Sequence, residues 1–105
     1  MKRQEMSYTY VLHPKTKQEI SEGFAWYEDK LPGLGYEFLD AVENKIAEII
    51  VHPETFSSKG NPNSREALLN RFPFLIVYRI YKQKKEVFIS SVHHTKKSVR
   101  TKYRK

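Results

Sequence analysis

The sequence predicts an α+β fold in which a pair of helices covers one face of a sheet. Three observations predict it: a length of 105 residues that suits one core, apolar residues at helical spacing in the first half, and strand-like runs in close succession in the second half. We therefore predict an N-terminal strand, an antiparallel helical hairpin and a three-stranded antiparallel meander, all within one domain of residues 1–105.

The first half of the chain predicts one strand followed by two helices. Residues 8–12 are β-branched and aromatic and end at His13-Pro14, which indicates a strand. From residue 15 the apolar period changes to that of a helix, with a stripe formed by Ile20, Phe24, Tyr27 and Leu31. Residues 32–35, Pro-Gly-Leu-Gly, end this helix. A second stripe runs until His52-Pro53 and consists of Phe38, Leu39, Val42, Ile46, Ile49 and Ile50. The short link predicts an antiparallel hairpin.

The second half predicts a loop and a meander. Residues 56–64 are rich in Ser, Gly, Asn and Pro, as surface loops are. Strand-like runs then occupy residues 67–71, 74–81 and 87–92. Their short links permit only antiparallel neighbours, and the nearly all-apolar middle run indicates a central strand. A basic tail follows at about residues 95–105.

The charge is divided unevenly along the chain. Residues 1–54 hold six Lys and Arg against ten Asp and Glu, a net charge of −4, whereas residues 55–105 hold thirteen against two, a net charge of +11. The second half should therefore attract an anionic partner such as nucleic acid or an acidic peptide.

The composition also limits the cellular compartment and the kinds of metal or cofactor site that we expect. There is no cysteine, so thiolate metal sites are excluded, and we expect no metal and no small-molecule cofactor. No run approaches the roughly 20 apolar residues of a membrane span, and the first residues lack the apolar core of a signal peptide. We expect a cytoplasmic protein that does not contact a membrane.

Several segments in a fixed order resemble those of a known family. In the first half they are Trp26-Tyr27-Glu28, residues 32–35, Phe38-Leu39, Val42-Glu43, Pro53 and Phe56. In the second half they are residues 71–74, residues 76–80, and residues 89–92 closed by His93. Together, over about residues 8–94, they resemble the ParE-like branch of the ParE/RelE toxin superfamily.

The resemblance implies the toxin of a type II toxin–antitoxin system, which arrests growth and serves plasmid stabilization, with a cognate antitoxin as partner. The antitoxin's C-terminal segment would wrap the toxin. An exposed sheet edge, the first or the last strand, would accept a peptide strand, and grooves beside the hairpin would accept an apolar helix. The basic half would attract an acidic segment of the antitoxin.

Two target mechanisms remain open within that superfamily. ParE-like members bind DNA gyrase and need no catalytic residue, whereas RelE-like members cleave ribosome-bound mRNA without a metal. Gyrase is favoured because Thr95 occupies the position at which RelE-like sites carry a functional Arg. A third alternative is a non-toxic RNA-binding domain, suggested by the basic half and the many tyrosines.

Candidate site residues follow from the ribonuclease alternative and from the basic tail. The candidates for catalysis are Arg71, Arg79, His94 and Tyr103. The candidates for contact with the target or with nucleic acid are Arg65, Lys96, Lys97, Arg100 and Lys102. Because neighbouring residues of a strand point to opposite faces, at most one of His93 and His94 is expected to line a site.

Overall fold

The computed structural model describes residues 7–58 and 64–96, which form an α+β fold with the predicted order of elements. The described elements are β1 (Thr9–Leu12), α1 (Pro14–Lys30), α2 (Leu34–Val51), β2 (Arg65–Leu68), β3 (Phe74–Tyr81) and β4 (Glu86–His94). The predicted strand, helical hairpin and meander are therefore confirmed.

The sheet is mixed and not purely antiparallel. Its strand order is β1-β4-β3-β2, with β2–β3 and β3–β4 antiparallel and β1 parallel to β4. A parallel pair requires a long crossover, and here the hairpin, β2 and β3 lie between the two strands in sequence. The expectation of an exposed edge at the first or the last strand holds for the first strand. The edge strands are β1 and β2, and β1 covers part of β4.

The link between the helices is held by one carboxylate and two glycines. The Glu28 carboxylate accepts hydrogen bonds from the backbone N–H groups of Gly33 and Gly35, at 2.8 and 2.9 Å, and so satisfies donors at the start of α2. Gly33 has a φ of 95°, which favours glycine. A Cβ at Gly35 would lie 2.6 Å from the backbone oxygen of Phe24, so only glycine allows this close approach.

The core lies between α2 and the sheet, and α1 covers one end of it. Val42 and Ile46 of the predicted second stripe are buried, whereas Phe24 and Tyr27 of the first stripe are partly buried against the core. Rings of Tyr27, Phe38, Phe72 and Phe74 form an aromatic cluster with centroid separations of 4.9 to 6.1 Å.

Leu31 differs from the prediction that placed it in the first stripe. It follows the last residue of α1 and is 58% exposed. The chain has already left the helix there, with an extended φ of −160°, so the side chain no longer follows the helical period.

The first strand of the meander is shifted relative to its predicted range of 67–71. It spans Arg65–Leu68, because the chain must turn before Phe74 to pair Leu68 with Leu75. Arg71 consequently lies in this turn at a φ of 72° and not on a strand.

Within residues 7–58 and 64–96, neither helix combines the length and the apolar character that crossing a membrane requires.

Candidate functional site

A groove forms where α1 passes the part of β4 that β1 does not cover. The pairing between β1 and β4 stops at Leu12 and Ile89, after which α1 runs beside the strand. Side chains of α1 then contact this edge. The Thr16 hydroxyl donates at 3.3 Å to the Ile89 carbonyl, which also accepts from the His13 N–H, and the Glu19 carboxylate takes the place of a strand partner by accepting from the Val92 N–H at 2.9 Å. The helix is thereby fixed along an edge that would otherwise expose unpaired backbone groups.

A β-bulge sets which residues of β4 face this groove. Val77 pairs with Ser91 and Tyr78 with Ile89, so Ser90 is the extra residue, and its hydroxyl donates to the Val77 carbonyl at 3.2 Å. The extra residue shifts the alternation of the strand. Val92 consequently stays in the core, while Ser91 points toward Glu19.

Glu19, Ser91 and His93 form a hydrogen-bonded chain beside the groove. The Ser91 hydroxyl donates to the Glu19 carboxylate at 3.4 Å and lies 2.5 Å from Nδ1 of His93. A hydroxyl has a single proton, so Ser91 accepts from a protonated Nδ1 when it donates to Glu19, and in the other tautomer of His93 it donates to Nδ1 instead. Ser91 is fully buried and His93 is 2% exposed, so this chain orients groups and does not offer Ser91 as a nucleophile.

The groove itself has a volume of about 620 Å³ and a mainly apolar floor. Its lining residues are Glu19, Glu22, Gly23, Trp26 and Tyr27 of α1 together with Pro73, Phe74, His93 and His94. Trp26 is 57% exposed, and burial raises the pKa of the Tyr27 phenol. The groove therefore presents aromatic surface and two carboxylates to a ligand.

Both histidines line this groove, although at most one was expected to line a site. The expectation is wrong because α1 lies along the edge of β4, where residues of both strand faces border the same space. His94 packs on the ring of Phe74 with centroids 5.5 Å apart, and its Nδ1 accepts from the Lys96 N–H at 3.2 Å.

Two of the candidate arginines contact other parts of the fold. Arg65 donates to the carbonyls of Glu54 and Phe56, at 3.3 and 2.7 Å, and so fixes the segment after α2. Arg71 forms an ion pair with Glu37 of α2 at 2.7 Å. Neither guanidinium lines the groove.

Arg79 lies on the sheet face opposite to the helices. It pairs in register with Phe88, next to Tyr78, whose side chain enters the core. Its Nε atom is buried and has no hydrogen-bond acceptor within the part of the chain that the structure describes.

The candidates that the sequence grouped for catalysis are therefore not brought together. His94 packs on Phe74 beside the groove, Arg71 is in a turn near α2, and Arg79 is on the far face of the sheet. Lys96 is exposed just after β4. The remaining candidates, Lys97, Arg100, Lys102 and Tyr103, lie outside the described residues.

The other shifted pKa values belong to structural contacts away from the groove. Burial raises the pKa of Tyr78 to about 12, and its hydroxyl donates to the Pro53 carbonyl at 2.6 Å. The hydrogen bond from Lys82 lowers the pKa of the Glu54 carboxyl and raises that of Lys82. Over the described ranges, no group of His, Asp and Glu side chains could hold a metal ion.

Sequence reasoning missed Glu19, Ser91 and Trp26 as parts of this site. Ser91 lies on the predicted last strand and His93 directly follows that strand, so their common face was readable from the sequence if the strand continued by one residue. Glu19 was not readable, because its role depends on where β1 ends beside β4.

A family model described as the ParE toxin of the type II toxin–antitoxin system parDE matches residues 10–99. No curated protein sequence matches the chain significantly.

Solved structures share the fold. A chain of the chromosomal ParDE system of P. aeruginosa superimposes with a TM-score of 0.72 at 14% identity, over 85% of this chain and 97% of that one. A chain of the intact E. coli RelBE toxin–antitoxin complex superimposes with a TM-score of 0.68 at 18% identity, over 87% of this chain and 100% of that one. A variant of the E. coli toxin RelE in the free state superimposes with a TM-score of 0.63 at 18% identity, over 87% of this chain and 86% of that one.

Proposed function

Since this chain belongs to the ParE toxin family of type II toxin–antitoxin systems, we propose that it arrests bacterial growth by inhibiting DNA gyrase in the cytoplasm. The observation that carries this choice of target is the separation of Arg71, Arg79 and His94, which lie in a turn, on the far face of the sheet and beside the groove. RNA cleavage requires a general acid, a general base and phosphate-binding cations around one phosphate. Binding to gyrase requires no such cluster.

The partner that we propose for neutralisation is a cognate antitoxin. The ParDE and RelBE structures that share the fold come from toxin–antitoxin systems, which supports such a partner here. The exposed outer edges of β1 and β2 are compatible with an added peptide strand.

Purified gyrase provides the direct test. We expect the purified chain to inhibit supercoiling of relaxed plasmid DNA, and expect the product of the neighbouring gene to relieve the inhibition. In cells, DNA synthesis should stop before translation does. If supercoiling is unaffected while transcripts are cut in a translating extract, the proposal of gyrase as target is wrong.

The ribonuclease alternative retains one supporting observation. Arg79 Nε is buried without an acceptor among the described residues, on a sheet face that could meet a phosphate. Under this alternative, Arg79→Ala and His94→Ala abolish mRNA cleavage in a translating extract. A cleavage activity that persists in both variants would exclude these two residues from catalysis.

A further inference from the structure

We propose that the groove between α1 and the end of β4 binds an antitoxin segment that carries an Arg or Lys side chain among apolar side chains. This inference rests on the antitoxin partnership proposed above and adds the chemistry of recognition. It differs from the expectation of an acidic segment, which rested on the overall charge of the second half and not on a defined surface.

The apolar part of the argument is the exposed aromatic surface. Trp26 is 57% exposed beside the half-buried rings of Tyr27 and Phe74 in a groove of about 620 Å³, a volume in the range of ligand sites. Large aromatic side chains that remain accessible in a groove are typical anchors of protein interfaces. An occupant with apolar side chains would bury them.

The charge of the groove selects a cationic occupant. Glu19 and Glu22 are its charged lining residues, whereas the whole chain has a net charge of +7. Glu22 is exposed, and in the described structure it accepts a hydrogen bond from the Gln18 amide at 3.2 Å. Carboxylates at this position repel the phosphates of a nucleic acid and attract a guanidinium or ammonium group.

The ring of Trp26 already contacts a cation of its own helix. The ammonium group of Lys30 lies 4.7 Å from the centroid of its ring. The same ring and the carboxylate of Glu22, one helical turn away, can meet both the charge and the aliphatic stem of an incoming Arg or Lys.

Variants of the two exposed groove residues test the inference. The probe is the purified product of the neighbouring gene, and the measurement is its Kd for the full toxin chain by titration calorimetry. We expect Trp26→Ala to weaken binding by about 30-fold and Glu22→Lys by about 10-fold. Matched controls are Tyr36→Ala, an aromatic residue with 61% exposure, and Glu43→Lys, an exposed acid of α2; neither lines the groove. Glu19 is left intact because it supports β4.

A charge exchange gives the specific readout. The Arg and Lys residues of the antitoxin are replaced by Glu, one at a time. One of these antitoxin variants should bind the toxin variant Glu22→Lys more tightly than it binds the unaltered toxin. Melting temperatures of the free variants within a few degrees of the unaltered chain would exclude misfolding as the cause of weak binding.

Three results would overturn the inference. The first is a Kd for Trp26→Ala and Glu22→Lys within twofold of the controls. The second is the absence of any compensating antitoxin variant. The third is groove-dependent binding of an RNA oligonucleotide with unchanged antitoxin affinity. If the unaltered toxin fails to bind the antitoxin at all, the proposed partnership itself is wrong, and the inference fails with it.

Discussion

The Tyr78 hydroxyl joins the sheet to the end of the helical hairpin. Its ring is fully buried, and it donates to the carbonyl of Pro53, just beyond α2. A buried carbonyl needs a donor, so this contact stabilises the fold by more than the area of the ring alone would. The phenol also stays protonated in the folded chain over a wide pH range, because burial raises its pKa to about 12.

Tyr78→Phe should lower the free energy of unfolding by about 1 kcal/mol at pH 7, since it leaves the Pro53 carbonyl without its donor. An unfolded tyrosine ionises near pH 10, as is usual for this side chain, whereas folded Tyr78 ionises at about 12. The folded state thus holds a proton that the unfolded state loses, so the contribution of this tyrosine is complete below pH 10 and is lost as pH rises through 12.

Urea unfolding at pH 9 and pH 11 checks both parts of this expectation. The unaltered chain should lose more stability between the two values than Tyr78→Phe does. Tyr36→Phe, at an exposed position, serves as control and should follow the unaltered chain. Equal pH dependence in Tyr78→Phe and the unaltered chain would contradict the assigned role.

At this scale the sequence identified residue types better than their contacts. Arg71 was recognisable as a cation at the end of a predicted strand. Its actual partner, Glu37, lies 34 positions away and is set by the packing of α2 on the turn. Local patterns contain no information about such distances.

The two glycines of the hairpin link meet different requirements. Gly33 has a positive φ but open space around its Cβ position, whereas Gly35 has no room for a Cβ against Phe24 and Glu28. The Pro-Gly-Leu-Gly segment predicted a tight link between the helices, but not which requirement each glycine meets. The reason for each glycine became apparent only from the packing of α1 against α2.

Alanine at each of these positions should separate strain from overpacking. We expect Gly35→Ala to cost about 2 to 3 kcal/mol of unfolding free energy, because backbone atoms of α1 must move. Gly33→Ala should cost about 1 kcal/mol, because only its φ is unfavourable. Thermal and urea unfolding of both variants give the comparison, and a larger loss for Gly33→Ala would show that the link relaxes more easily than the close contact indicates.

For the whole molecule, helices and sheet share one core. Phe38 and Ile49 of α2 are in the same buried cluster as Ile76 of β3 and Val87 of β4. Hairpin and meander should therefore unfold together, as expected for one domain.

The single tryptophan makes this testable, because Trp26 lies on α1 beside the groove. Its fluorescence reports on α1 and its contact with the sheet, while far-UV circular dichroism reports on all helices and strands. The two signals should give the same urea midpoint. Separate midpoints would show that the hairpin detaches from the sheet before the sheet unfolds.

The fold was predictable at this scale because hydrophobic period, Pro-Gly links and loop composition agreed with one another along most of the chain. The strand order was not fully predictable. Short links determine the neighbours within the meander, but the place of β1 depends on a crossover through two helices, and the groove depends on that place. His94 was already a candidate from the sequence, but its grouping with the residues of α1 emerged only from the tertiary arrangement.

The parallel pairing of β1 with β4 affects how the chain folds while it is being translated. Thr9 is translated before both helices and before β2 and β3, whereas its partner Glu86 is translated after them. A nascent chain must therefore hold β1 without its neighbour until β4 has left the ribosome, and such late closure slows folding. Incomplete translation products would lack the edge along which α1 is fixed, so an interrupted ribosome should release a chain without the groove.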